Sequence, residues 1–231
     1  MSQDNPEQPH YLGHRRRLKE KFLKNPNSFS DYELLELLLF QAIPRKDVKP
    51  LSKTLLKKFK NFRGLVNASH DHLMSANASG VTQSVYFQFQ LLRELLNRMF
   101  REEVFDEHVI SSWTALLNYL KFNMGCMKIE QFRVLFLNNK NILLADEILA
   151  NGTIDQTPVY PREIVKRILF YEAASIILVH NHPSGNIKPS PSDIALTEQI
   201  IMACKTVNVK VHDHVIIGGN NYFSFKSNML L

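Results

Sequence analysis

With 231 residues, 45% hydrophobic content and two cysteines, the chain can build one large or two small cores, and it cannot be a disulfide framework. Its net charge of +6 is unevenly spread: residues 1–101 carry 17 Lys and Arg against 9 Asp and Glu, a net of +8, and residues 102–231 carry a net of −2. An anionic partner is therefore expected at the N-terminal half.

Cys126 and Cys204 share no zinc-ligand spacing and are expected as buried thiols in a reducing compartment. The first ten residues are polar and lack the apolar segment of a signal peptide, and no uncharged apolar run approaches the ~20 residues of a membrane span. The expectation is a soluble, cytoplasmic protein.

Residues 1–101 are expected to form a small, basic, all-helical domain. A helix over residues 14–23 carries Leu18, Phe22 and Leu23 on one side. Ser30 is placed to cap a helix over residues 31–41, with Glu33 at its third position. Pro44 and Pro50 punctuate a connection before residues 51–59, and a last helix over residues 85–100 aligns Phe89, Leu92 and Leu96. The charged string Arg101-Glu102-Glu103 marks the end of this half, and a second domain is expected over residues 108–231.

That second domain alternates. A helix over residues 112–123 bears Trp113, Leu116, Leu117 and Leu120. Strands over residues 132–137 and 142–149 are joined by Asn138-Asn139-Lys140-Asn141, residues tolerant of left-handed backbone. A helix over residues 161–171 opens with proline, and residues 175–180 form a buried strand. A helix over residues 192–206 and strands over residues 211–217 and 222–225 follow, the last two joined by Gly218-Gly219-Asn220-Asn221. The fold class expected is α/β: a mixed sheet flanked by helices, preceded by the all-α domain.

The chemistry concentrates after the strand over residues 175–180. His180 and His182 leave that strand one residue apart, so their side chains point the same way. Eleven residues later, Asp193 stands one turn into a new helix. Two imidazoles and a carboxylate match the ligand set of a catalytic zinc with a fourth position open to water. The same segment also reads as a helix start, with Ser190 as cap, Pro191 at the first position and Asp193 at the third. The two readings are compatible, because a rigid helix start can aim a carboxylate. His212 and His214 form a second His-x-His with no carboxylate at similar spacing, and are expected to be structural or supporting groups, His214 near the cleft.

His-Asn-His-Pro-Ser-Gly (His180–Gly185) followed by Pro189-Ser190-Pro191-Ser192-Asp193 resembles the signature of the JAB/MPN (JAMM) metallopeptidases, in its bacterial RadC-like form. The likeness extends to Tyr160-Pro161-Arg162-Glu163-Ile164, to Asp213-His214-Val215-Ile216-Ile217-Gly218 and, in the first half, to Ser30-Asp31-Tyr32-Glu33-Leu34 and Ile43-Pro44-Arg45. It implies an MPN-like sheet and one zinc ion held by His180, His182 and Asp193. It also implies a glutamate base at the start of a strand, a place that Glu130 matches, with Glu147 in the next strand as the alternative. Ser190 would then direct its hydroxyl at the oxyanion of the tetrahedral intermediate.

Two functions follow as expectations. One is a zinc-dependent metallopeptidase or isopeptidase acting on an unknown protein substrate. The other is a DNA-associated repair or recombination accessory whose metal site is non-catalytic or regulatory. The basic half resembles helix-hairpin-helix modules, which grip phosphates through backbone N–H groups, but its hairpin reads Ala78-Ser79-Gly80-Val81 and keeps one glycine only. Any DNA contact is expected to be nonspecific.

Overall fold

The computed structural model describes residues 10–75, 80–105, 109, 112–152 and 159–231. Ala78, Ser79, Ser111 and Glu107, on which part of the expected hairpin, cap and domain boundary rest, lie outside the described residues. The chain divides into two compact units, Met1–Leu95 and Leu96–Leu231.

The first unit is helical: α1 (His10–Lys24), α2 (Asp31–Ala42), α3 (Lys49–Phe59), α4 (Phe62–Val66), α5 (His70–Met74) and the first part of α6 (Gln83–Phe105). α2 starts where the sequence places it, because the Ser30 N–H donates to the Glu33 carboxylate at 3.0 Å and satisfies one orphan donor. α3 tolerates Pro50 in its first turn, where no intrahelical N–H is needed. Leu35, Leu39, Leu55 and Phe89 fill the core of this unit.

Two expectations fail here for local reasons. Leu23 is 83% exposed rather than part of the apolar stripe that buries Leu18. α6 continues through Arg101-Glu102-Glu103 to Phe105, since Val104 is buried in the core of the second unit. The Arg15 guanidinium donates to the carbonyls of Phe40, Ile43 and Lys46 and lies 4.4 Å above the Phe40 ring.

The second unit is the expected mixed sheet. β1 (Gln131–Leu137), β2 (Leu143–Asn151), β3 (Ser175–Asn181), β4 (Lys210–Gly218) and β5 (Asn221–Ser224) run in the order β2-β1-β3-β4-β5. Only β3 and β4 are parallel, joined through α9 (Pro191–Lys205). α7 (Trp113–Met124) contributes Leu116 and Leu120 to the core on one face, against Leu135, Ile177 and Val215. α8 (Pro161–Phe170) and α9 cover the other face, against Val134, Ile176 and Leu178. β3 is central and buried along its whole length, which is why its sequence is a continuous apolar run. Cys204 is buried in α9, whereas Cys126 is exposed, contrary to expectation; it follows α7 in a turn that no element covers. Among the described residues no helix is long and apolar enough to cross a membrane.

Candidate metal centre

β3 delivers His180 to the face covered by α8 and α9, because Ile176 and Leu178 precede it at two-residue steps. His180 is fully buried, stacked 6.1 Å from the ring of its cross-strand partner Phe132. His182 lies just beyond the strand, yet its N–H donates to the Ile217 carbonyl at 2.8 Å and prolongs the ladder by one step. The loop that follows lies over the end of β4. A Cβ on Gly218 would stand 2.7 Å from the Gly185 carbonyl oxygen, so glycine is required there for the loop to approach.

α9 then aims the carboxylate. The Asp193 N–H donates to Ser190 Oγ at 3.1 Å, and the Ser190 N–H donates to Asp193 Oδ2 at 2.7 Å, a reciprocal capping box. The same carboxylate places Oδ1 3.3 Å from His180 Nε2 and Oδ2 3.5 Å from His182 Nε2. Helix cap and cluster member are one residue. Glu130, immediately before β1, completes a group of four whose ligating atoms all lie within 4.8 Å of one another.

The protonation pattern follows from partners that can only accept. His182 Nδ1 lies 2.6 Å from the Asn186 carbonyl oxygen, so Nδ1 carries the proton and Nε2 keeps its lone pair. Thr197 Oγ1 donates to the Asp193 carbonyl at 2.5 Å and must therefore accept from His214 Nδ1 at 2.6 Å. His214 Nε2 is then an acceptor for His180 Nδ1 at 2.8 Å, which leaves the lone pair of His180 on Nε2. Two lone pairs face each other across 3.0 Å, beside a carboxylate. Such an arrangement repels itself unless a cation lies in it. The three pair distances also sit inside the ~4.2 Å that two ligands on one zinc can span, about twice a 2.1 Å bond, so the donor set fits such an ion.

The electrostatics agree. The Asp193 hydrogen bond raises the His182 pKa above its usual 6.5, with burial opposing and the Asn186 carbonyl and the Glu130 charge adding to the rise. Burial alone would raise the Asp193 carboxyl, but the His180 and His182 rings beside it, able to donate once Nε2 takes up a proton, outweigh burial and hold the group far below the carboxylate range. His214 is held well below 6.5 by complete burial and by the adjacent His180, so it stays neutral as the relay requires.

A profile of the RadC-like JAB domain family matches residues 110–230. The UPF0758 protein SPO0054 of Ruegeria pomeroyi is 46% identical over 221 residues, which span 95% of this chain and 98% of that protein. The chain belongs to the RadC-like JAB family. The motif segments singled out in the sequence fall at β4 and at the start of α8 as well as around the histidine pair.

Not every candidate meets at this centre. In this RadC-like chain Glu147 is turned to α8, where its carboxylate accepts from Arg167 Nε at 2.5 Å and from the Tyr171 hydroxyl. His212 and His214 do not share a face. β4 bulges at His212, since Ile176 pairs with Val211 and Ile177 with Asp213, and this extra residue turns His214 toward His180. Thr197, Asn186 and Asn181 were not singled out from the sequence. The buried Asn181 side chain accepts from the Gln131 N–H at 2.8 Å and donates to the Ile129 carbonyl at 3.2 Å, so it holds the backbone on both sides of Glu130. Only their spacing around the motif could have signalled them.

Proposed function

We propose that this RadC-like protein is a zinc-dependent hydrolase, a metallopeptidase or isopeptidase that cleaves an amide bond in a protein substrate. The reading rests on the two facing Nε2 lone pairs of His180 and His182 beside the Asp193 carboxylate. Zinc held by those three residues would supply a Lewis acid and a water acidified toward neutrality.

The chain's own groups supply the rest. Glu130 is half-buried at the edge of the group. It would take the proton of the attacking water and pass it to the leaving amine. Ser190 Oγ spends one lone pair on the Asp193 N–H. Its hydroxyl proton remains to be donated to the oxyanion, so capping and catalysis need not compete. Metal analysis of the purified chain, followed by a screen of peptide and isopeptide-linked substrates with the zinc-loaded protein, tests this. Zinc-loaded protein inert on every amide in the screen counts against hydrolysis, and protein that takes up no zinc counts against the centre itself.

A second reading is a DNA-associated accessory role. Arg16, Arg17, Lys19, Lys57 and Lys60 are exposed in the first unit, and they support nonspecific contact with phosphates. The unbridged cysteines support a cytoplasmic location.

A further inference from the structure

His212 takes no part in the metal centre. It is the extra residue of the β4 bulge, a distortion that gives up ladder pairing in order to redirect a side chain. It faces a cavity of about 540 Å³, within the range of small-molecule sites. Lys210 stands opposite Ser175 at the start of β3, whereas His180 stands opposite Ile216. At roughly 3.3 Å per residue, the five steps from Ser175 to His180 put that end of the cavity about 17 Å from the metal centre along β3.

The lining is of two kinds. Ile201 of α9 and the strand-entry residues Val209 and Val211 give an aliphatic floor, to which Leu231 adds. Lys205, Lys210 and Lys226 bring three ammonium groups, and no Asp, Glu, Phe, Tyr or Trp lines the space. Among the described residues, none of these lysines forms an ion pair with a carboxylate. Lys226 Nζ instead lies 3.4 Å from His212 Nε2, where an ammonium can only donate and the imidazole must be neutral. Burial, then Lys226 and Lys210, push the His212 pKa below its usual 6.5, with the Asp213 charge opposing them.

We propose that this cavity binds a small phosphate ester with an aliphatic body. Three point charges on flexible stems suit the dispersed charge of a phosphate, and no guanidinium is present to clasp a planar carboxylate. The aliphatic floor offers contact to a hydrocarbon chain. Among the lining residues the one ring is the small imidazole of His212, so a nucleobase finds no Phe, Tyr or Trp face to stack on.

Calorimetric titration of the zinc-loaded full chain with hexyl phosphate tests the proposal, alongside inorganic phosphate, hexanoate, adenosine monophosphate and a single-stranded oligonucleotide. Hexyl phosphate should saturate one site at least about tenfold more tightly than the other small probes, a difference of about 1.4 kcal/mol. Lys210→Gln with Lys226→Gln should weaken it about tenfold or more, and Lys205→Gln, on an exposed helix position, gives an independent variant with the same direction. Zinc content should be unchanged in all of them, so the result stands apart from the hydrolase reading. The proposal is overturned if hexyl phosphate shows no saturation at millimolar concentration, or if the lysine variants bind it as the wild type does. It is also overturned if hexanoate or inorganic phosphate binds as tightly, or if the oligonucleotide binds more tightly and loses that binding in the same variants.

Discussion

His180 and His182 hold their Nε2 atoms 3.0 Å apart, each with its lone pair turned inward by a hydrogen bond at the opposite nitrogen. In the metal-free chain only a proton can relieve that repulsion, and the Asp193 carboxylate beside both rings favours it. Proton and zinc are thus rivals for one position.

The rivalry sets opposite pH trends. In the metal-free chain the raised His182 pKa contributes stability that is complete below 6.5 and is lost as pH rises through the folded value. Asp193 titrates far below this window and does not confuse it. Zinc-loaded protein should behave the other way, holding its metal above the raised His182 titration and releasing it as pH falls through it. Thermal unfolding across pH 5.5 to 8.5, with and without chelator, reads both slopes; parallel slopes would show that zinc does not sit between the rings. His182→Ala should retain less than about a tenth of the wild-type zinc after dialysis.

Thr197→Val keeps the side-chain shape and removes the hydroxyl that fixes His214. Both the Asp193 carbonyl and His214 Nδ1 then lose a partner at a buried position. The His180 tautomer is no longer enforced, and zinc affinity should fall about 10- to 100-fold with the fold retained. A competition titration against a chromogenic chelator measures it. Wild-type affinity in this variant would mean that the relay does not set the tautomer.

The strands of the mixed sheet and the histidine pair were legible because both rest on local pattern: an apolar run for β3, a two-residue step for His180 and His182, and turn residues before α9. The cap at Asp193 and its place beside the histidines were legible as well, since cap spacing and the distance from the histidine pair coincide at that residue. What escaped depends on register. Nothing in Lys210-Val211-His212-Asp213-His214 announces the bulge, so the second histidine pair reads as one face when it is two. Cys126 misled for a related reason: whether a thiol is left outside the core is set by distant packing.

At the start of α2, Glu33 accepts from Lys21 at 2.9 Å and from the Ser30 N–H, in that order of effect, and its pKa falls from 4.5 to about 2. A depressed carboxyl contributes stability present above 4.5 and lost as pH falls toward 2. Glu33→Ala should cost about 1 kcal/mol at pH 7, read as faster hydrogen exchange of the α2 amides. The gap from wild type should narrow below pH 4.5; a gap that persists there would assign the effect to packing.

DNA contact by the basic half predicts a salt law. Binding of a duplex of arbitrary sequence to the full chain should weaken linearly in log–log terms, with a slope of about −0.9 per phosphate neutralised. Two duplexes of unrelated sequence should bind alike. Arg16→Gln with Arg17→Gln should lower the slope by about two units, since both side chains are exposed. Salt-insensitive binding, or none at low ionic strength, removes DNA from the partners.

The base is decided by exchanging two glutamates. Glu130→Gln keeps the side-chain size and, because the three shorter pair distances exclude it, should leave zinc content near the wild-type value. It should lower amide hydrolysis by about 10²- to 10⁴-fold, since a neutral amide cannot accept a proton. Glu147→Gln removes the charge and one of the two acceptor oxygens that serve Arg167 and Tyr171, a partly exposed network away from the histidines, and should leave the rate within about threefold while costing roughly 1 kcal/mol of stability. If Glu130→Gln instead empties the zinc, Glu130 is a fourth ligand and not the base. If Glu147→Gln alone abolishes hydrolysis, β2 must deliver the base and the site drawn around His180 is not the one that turns over.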